Sequence, residues 1–307
     1  MGYINQRTAY GETLVALGEE NKKIFVLDAD LGGSTMSKLF ELKFPERHLE
    51  MGIAEANMTS VAAGLALTGK IPFINTFAVF ATGRAYDQIR QSIAVANLNV
   101  KICGSSAGLS DFGDGATHQS VEDMAIMRAI PNMVVINPAD ANEMVEATKA
   151  IVDYEGPVYL RTNRNDYPNV TPEGKPFKIG EPSVLKEGTD VVVFATGYPV
   201  GLALAAAEEL AGDVSVKVVN VSTIKPLNKE KIAELAADCK AVVTAEEHSI
   251  VGGLGGAIAE ALRKSCKPIE FVGVQDTFGC SAHNYLELMD HFGITKENIV
   301  KAVLEVK

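Results

Sequence analysis

The chain has 307 residues, 47% hydrophobic and 22% charged, with 28 basic against 39 acidic side chains and a formal net charge of −11. That length exceeds one ordinary core and predicts two domains. The acidic balance argues against nucleic acid as a partner, because phosphate backbones are bound by basic surfaces, but leaves room for small anions held by a few local arginines.

No apolar run is long enough to cross a bilayer. The N-terminal "MGYINQRTAYGETL" carries no apolar signal core. Cys103, Cys239, Cys266 and Cys280 form no CxxC pair. A cytoplasmic protein with reduced, mostly buried thiols is expected, with neither membrane nor nucleic acid as partner.

In chain order, short β-branched runs alternate with helical patterns. "KIFVLDA" predicts a strand and runs into the loop "DADLGGS". "MGIAEANM" (51–58) then opens the helical pattern "AEANMTSVAAGLAL". Everything in it reads as core except Glu55. An unpaired buried carboxylate costs several kcal/mol, so Glu55 needs a partner.

The strand "IPFINTF" leads into "TFAVF", which places Phe77 and Phe80 three apart, and then into the helical pattern "GRAYDQIRQSIAVA". "NVKICGS" predicts the next strand and feeds the glycine-rich "GSSAGLSDFGDGATHQSVED". There Ser120 reads as a helix cap and Asp123 as completing a capping box. Asp114 and His118 remain unexplained, and a histidine in a strand-end loop can act as acid, base or donor. "GDG" invites a metal–diphosphate reading, but no Asn-Asn pair follows at the needed distance, because Asn142 precedes Glu143.

"NMVVINP", "DANEMVEATKAIV" and "PVYLRT" complete a first unit that ends in "LRTNRNDYP". Continuous apolar strands separated by helices predict a mostly parallel sheet covered on both faces, so the fold class is α/β. "NDYPNVTPEGKPFKIGEPS" has Pro and Gly without periodicity and reads as a linker. "DVVVFATG", "VSVKVVNV", "KAVVTAEE" and "IEFVGV" then repeat the pattern. The expected domains are 1–170 and 185–307, joined by a linker at 171–184. "VGGLGGAIAEAL" has Ile258 at the third glycine position of a dinucleotide fingerprint and reads as a close-packed helix start. Ligands of open parallel sheets sit beyond the C-terminal strand ends, so the loops there are expected to converge on one cleft.

Taken together, "GIAEANM", "TFAVFATGRAYDQIR", "DGATHQSVEDMAIMRAIPNM" and "PADANE" resemble the C-terminal half of transketolase over essentially the whole chain. The chain thus resembles the small subunit of a split, two-chain transketolase. The resemblance implies a thiamine diphosphate pyrimidine-binding domain followed by a transketolase C-terminal domain. It also implies transfer of a two-carbon ketol unit from a ketose phosphate to an aldose acceptor, as in the pentose phosphate pathway. Glu55 is implied to hold N1′ of the cofactor's aminopyrimidine, so that the 4′-amino group can take the C2 proton. Phe77 and Phe80 are implied to pack around that ring, with Phe80 stacking on it and Asp30 lining the cleft. Arg7, Ser34 and Arg164 match residues that bind the sugar phosphate. Asp114 matches a reader of a substrate hydroxyl, and His118 a histidine that stabilises developing oxygen charge.

The ligands of the diphosphate and of Mg2+ are implied to come from a separate N-terminal subunit, in an α2β2 heterotetramer. Three departures bear on the substrate: Ser106 replaces a usual histidine, Gly83 replaces a larger residue, and "FGCSAH" replaces an "FGESG"-type ending. The competing readings are the β-subunit of a 2-oxoacid dehydrogenase, a deoxyxylulose-phosphate-synthase-like protein and a non-catalytic assembly module.

Overall fold

A computed structural model describes residues 3–307; Met1 and Gly2, within the first expected domain, lie outside the described residues. The strands are β1 (Tyr3–Asn5), β2 (Ile24–Asp28), β3 (His48–Glu50), β4 (Ile71–Phe77), β5 (Lys101–Ser105), β6 (Val134–Ile136), β7 (Val158–Arg161), β8 (Asp166–Pro168), β9 (Ser183–Lys186), β10 (Val191–Ala195), β11 (Val216–Asn220), β12 (Thr223–Lys225), β13 (Ala241–Ser249) and β14 (Ile269–Val274). Among the described residues they form a seven-stranded sheet in the order β12-β6-β7-β5-β4-β2-β3, a five-stranded sheet in the order β14-β13-β10-β11-β9, and the pair β1-β8. Each large sheet is parallel except at one edge, where β12 runs antiparallel to β6 and β9 to β11. The fold is α/β, with two mostly parallel sheets flanked by helices.

The central strands show why. Every residue of β4, β5 and β10 is buried. Such strands can be apolar on both faces only because helices cover both faces. Several helices begin on residues that suit an N-cap. Asn5 accepts from the Arg7 N–H and starts the helix Gln6–Glu20, and Asp140 accepts from the Glu143 N–H and starts Ala141–Asp153. The first of these caps also fixes where Arg7 stands.

The two sheets share packing. One hydrophobic cluster joins Leu27, Ile102 and Met127 of the first half to Phe194, Val219 and Ile258 of the second. A short strand from beyond the linker, β12, extends the first sheet by pairing with β6.

Four local expectations are corrected. Ser120 caps no helix: it bridges Gly108, and the helix Asp123–Ala129 begins after Glu122 without a side-chain cap. Asp123 completes no capping box. It is fully buried, accepts from Arg161 Nε at 2.8 Å and Nη2 at 3.0 Å, and accepts from the Tyr159 hydroxyl at 2.7 Å. Burial works against its charge, yet the Arg161 guanidinium holds the carboxyl below its usual range. A buried carboxylate is worth more to a buried arginine than to a backbone N–H. The segment expected as one helix over 83–96 is instead a π turn at Phe80–Arg84, one α turn at Tyr86–Gln88 and a second π turn at Ile89–Ala94. Finally, Cys103 and Cys239 are buried but Cys266 and Cys280 are exposed, so the thiols are not mostly buried.

Candidate functional site

The C-terminal ends of five neighbouring parallel strands, β3, β2, β4, β5 and β7, deliver the site. Beyond β3 the chain reaches Glu55, the first residue of the helix Glu55–Leu67. A carboxylate there is favoured by the helix N-terminus. Glu55 is only 4% exposed, and its Oε1 accepts from Arg84 Nη1 at 2.9 Å. The Arg84 side chain is 52% exposed, and its guanidinium lies 4.0 Å above the centre of the Phe80 ring. Within this chain, then, the partner of Glu55 is a planar N–H donor placed over an aromatic face.

Phe80 and Phe77 stack with centroids 6.0 Å apart and planes 17° apart. The His118 imidazole meets both edge-on, at 5.3 Å from Phe80 and 6.2 Å from Phe77. His118 Nδ1 lies 2.9 Å from the Thr117 hydroxyl. The Arg164 guanidinium is 6.0 Å from the Phe77 ring on the way to a second, charged group of residues.

That second group is built on β2, β7 and the first helix. Arg7 Nη1 donates to the Ser34 carbonyl at 2.7 Å. Arg164 Nη1 donates to Asp111 Oδ2 at 2.5 Å. Burial, and then the like charge of Arg164, lower the proton affinity of Arg7, against the pull of Asp166 and Asp111. Gln6 ties the elements together: its amide donates to the Pro138 carbonyl and accepts from the Asn163 N–H. Asp28, fully buried, sets the loop that carries Ser34 by accepting from the Leu31 N–H and from the hydroxyls of Thr35 and Ser37.

Glu55, Phe77, Phe80, His118, Arg164, Arg7 and Ser34 therefore form one continuous constellation. Asp114 and Asp30 stand exposed beside it. Asp114 precedes the 3-10 turn Gly115–Thr117, and Asp30 has φ 60°, a left-handed conformation that Asp adopts more readily than most residues. Ser106 is buried with φ 51° and a hydroxyl that meets no protein partner. At Gly83 an added Cβ would meet nothing within 4 Å.

The second domain braces the site loop. Glu247 on β13 accepts from the Leu109 N–H at 2.8 Å, from Asn163 Nδ2 at 3.0 Å and from the Tyr285 hydroxyl at 2.6 Å. Burial pushes Glu247 up to about 6. The divergent "FGCSAH" segment packs on the same loop, with Gln119 Nε2 donating to the Cys280 carbonyl. A Cβ at Gly279 would lie 1.7 Å from Gln119 Oε1, so any larger residue there would displace the Gln119 side chain.

Arg84, Asp111, Asp28, Gln6 and Glu247 are the site residues that sequence reasoning missed. For Arg84 a signal existed, because it follows Phe80 by four, the spacing at which side chains on a helical turn meet. Asp111 lies in a glycine-rich loop with no period to read.

Residues 3–170 match the family described as "Transketolase, pyrimidine binding domain", and residues 180–299 match "Transketolase, C-terminal domain". The chain is 44% identical to a 6-deoxy-6-sulfo-D-fructose transketolase subunit of Clostridium sp. (strain MSTE9), covering 98% of this chain and 94% of that one. It is 36% identical to the transketolase of Mus musculus over 98% of its own length and 48% of the mouse protein. A solved split-gene transketolase, an inactive β4 tetramer, superposes with a TM-score of 0.90 at 46% identity, covering 99% of this chain and 98% of that one. The chain belongs to the transketolase family of transferases and carries its pyrimidine-binding and C-terminal domains.

Proposed function

We propose that this chain is the pyrimidine-side subunit of a two-chain transketolase. It would move a two-carbon ketol unit from a ketose carrying an anionic head group to an aldose acceptor. Its working units would be a pyrimidine-binding domain at 1–170, a linker at 171–184 and a C-terminal domain at 185–307. The observation that carries the reading is the Glu55–Arg84–Phe80 stack. A buried carboxylate facing a planar N–H donor that lies on a phenylalanine offers both contacts an aminopyrimidine requires. The residues present thus fit the aminopyrimidine of thiamine diphosphate.

Thiamine diphosphate, when bound, supplies the carbon nucleophile that amino-acid side chains lack. Glu55 would hold a proton at N1′ of the aminopyrimidine. Phe80 offers its face to the ring, Phe77 backs Phe80, and Asp30 lines the cleft. His118, held edge-on against both rings, donates toward oxygen charge that develops at the reacting carbons. Asp114, four residues earlier on the same loop, reads a substrate hydroxyl. Arg7, Ser34 and Arg164 take the head group, which is a phosphate or another strong anion; the Clostridium relative is named for a sulfo-sugar.

Among the described residues no group of three or more His, Cys, Asp or Glu side chains is placed to hold a metal ion. Mg2+ and the diphosphate would be held by an N-terminal subunit, in a cytoplasmic α2β2 assembly serving the pentose phosphate pathway or a related sugar route. The test is ketol transfer by the two purified chains, alone and mixed, across several ketose donors. Transfer only in the mixture, with thiamine diphosphate and Mg2+, is expected. No transfer from any donor by the mixture would overturn the proposal.

A further inference from the structure

We infer that Asp111 determines head-group specificity by removing one unit of positive charge from the site formed by Arg7, Ser34 and Arg164. The inference rests on that site being the head-group site. Asp111 is 2% exposed, and its carboxylate accepts from Arg164 Nη1 at 2.5 Å. It cannot easily swing away, because its carbonyl accepts from Gln119 Nε2 at 2.9 Å within a loop that Glu247 braces.

Two guanidinium groups converge here, and Arg7 feels Arg164 as a like charge. Of the two carboxylates that offset them, Asp166 is exposed and engaged by Asn5 Nδ2 at 2.9 Å, so water and salt screen it. Asp111 is buried, and its charge is screened far less. The two half-buried guanidinium groups and the buried carboxylate therefore sum to one positive charge rather than two. A sulfonate, with one negative charge, is matched by that sum. A phosphate monoester carries about −1.5 to −2 at neutral pH, and its second charge faces Asp111 without a free counter-charge. Asp111 also occupies one edge of the Arg164 fork, so this arginine offers the ligand only its remaining N–H groups. Both effects narrow the advantage that two unopposed arginines would give a dianion.

The test uses the two-chain enzyme and two ketose donors that differ only in the head group, a 6-phosphate and a 6-deoxy-6-sulfonate. In wild type, the ratio of kcat/KM for phosphate over sulfonate should rise by less than about twofold from pH 5.5 to 7.5, although the phosphate loses its second proton near about 6. Asp111→Asn should raise the ratio at pH 7.5 by about tenfold, the size expected for one charge acting at short range in a partly screened site. That gain should shrink at pH 5.5. Asp111→Glu, which keeps the charge, should keep the wild-type ratio.

A ratio in Asp111→Asn that stays at the wild-type value, or an equal loss on both donors, would overturn the inference. So would a wild-type ratio that rises about fourfold over the pH range, the whole gain in the dianion fraction for a second proton lost near about 6, a measurement that needs no variant to fold. Arg164→Ala separates the two readings. If it leaves KM unchanged for both donors, the head-group site itself is misplaced. If it raises both while Asp111→Asn leaves the ratio alone, only the role of Asp111 fails.

Discussion

Glu55 and Arg84 form a pair whose two members have opposite expected effects. Glu55→Gln keeps the size of the side chain and removes its charge. In the two-chain enzyme it should slow exchange of the cofactor's C2 proton by about 10²–10⁴-fold, the usual range for a positioned acid or base. Proton exchange followed by NMR checks this, and a wild-type rate would remove Glu55 from the role. Arg84 stacks on Phe80 in the place proposed for the ring, so it must yield that place. Arg84→Ala should tighten thiamine diphosphate binding by about five- to thirtyfold, because a half-exposed ion pair and an exposed cation–π contact are each worth about 0.5–1 kcal/mol. Weaker binding on calorimetric titration would mean that Arg84 holds the cofactor instead of competing with it.

At the scale of elements, the start of the helix Leu254–Ala261 is set by one buried carboxylate. Glu246 accepts from the Leu254 N–H at 2.7 Å and the Gly255 N–H at 2.8 Å, and a Cβ at Gly253 would lie 2.1 Å from its Oε2. Of the glycines of "VGGLGGAIAEAL", Gly253 serves this close approach, while a Cβ at Gly255 would meet the Phe271 ring and one at Gly252 the Ala125 side chain. Burial pushes Glu246 up to about 7, and it pushes the neighbouring His248 down to about 4. The folded value of Glu246 thus exceeds its ordinary value of 4.5. Between these two values the folded chain keeps a proton that the unfolded chain has lost, so stability contributed by protonated Glu246 is lost as pH rises through that window. Glu246→Gln cannot titrate and lacks this slope. The stability difference, wild type minus Glu246→Gln, should fall by up to about 3 kcal/mol between pH 4.5 and 7.5, at about 1.4 kcal/mol per unit. His248 has the opposite slope but is present in both proteins. Denaturant midpoints across pH measure the difference, and a flat difference would show that Glu246 stays ionised throughout.

At the scale of the whole molecule, the site is half of what the proposed reaction needs. The isolated chain should bind thiamine diphosphate and Mg2+ far more weakly than micromolar, since stacking on Phe80 and one contact to Glu55 leave the diphosphate charge unmet. Adding the N-terminal subunit should restore tight binding. Micromolar binding by the isolated chain in calorimetry would contradict this division of labour. The two domains are also not independent, because β12 pairs with β6 and Arg161 Nη2 donates to the Glu247 carbonyl at 2.9 Å.

Much of this was legible in the sequence. Runs such as "IPFINTF" and "DVVVFATG" announce buried parallel strands, because a strand covered on both faces has no polar side to show. The loops beyond those strands follow from the same rule, and Glu55 stood out because a lone carboxylate in an apolar stretch must be paired. The π turns over 80–94 were hidden, since a helical hydrophobic period does not record which carbonyl each N–H finds. Asp123 looked like a cap because its distant partners, Arg161 and Tyr159, are 38 and 36 residues away. Arg164 was placed by resemblance, but its bond to Asp111 spans 53 residues and joins two loops. Local pattern determines elements, because period and propensity act over a few residues. Which charges meet is decided by the closure of long loops onto one sheet edge, and only the packed tertiary structure does that.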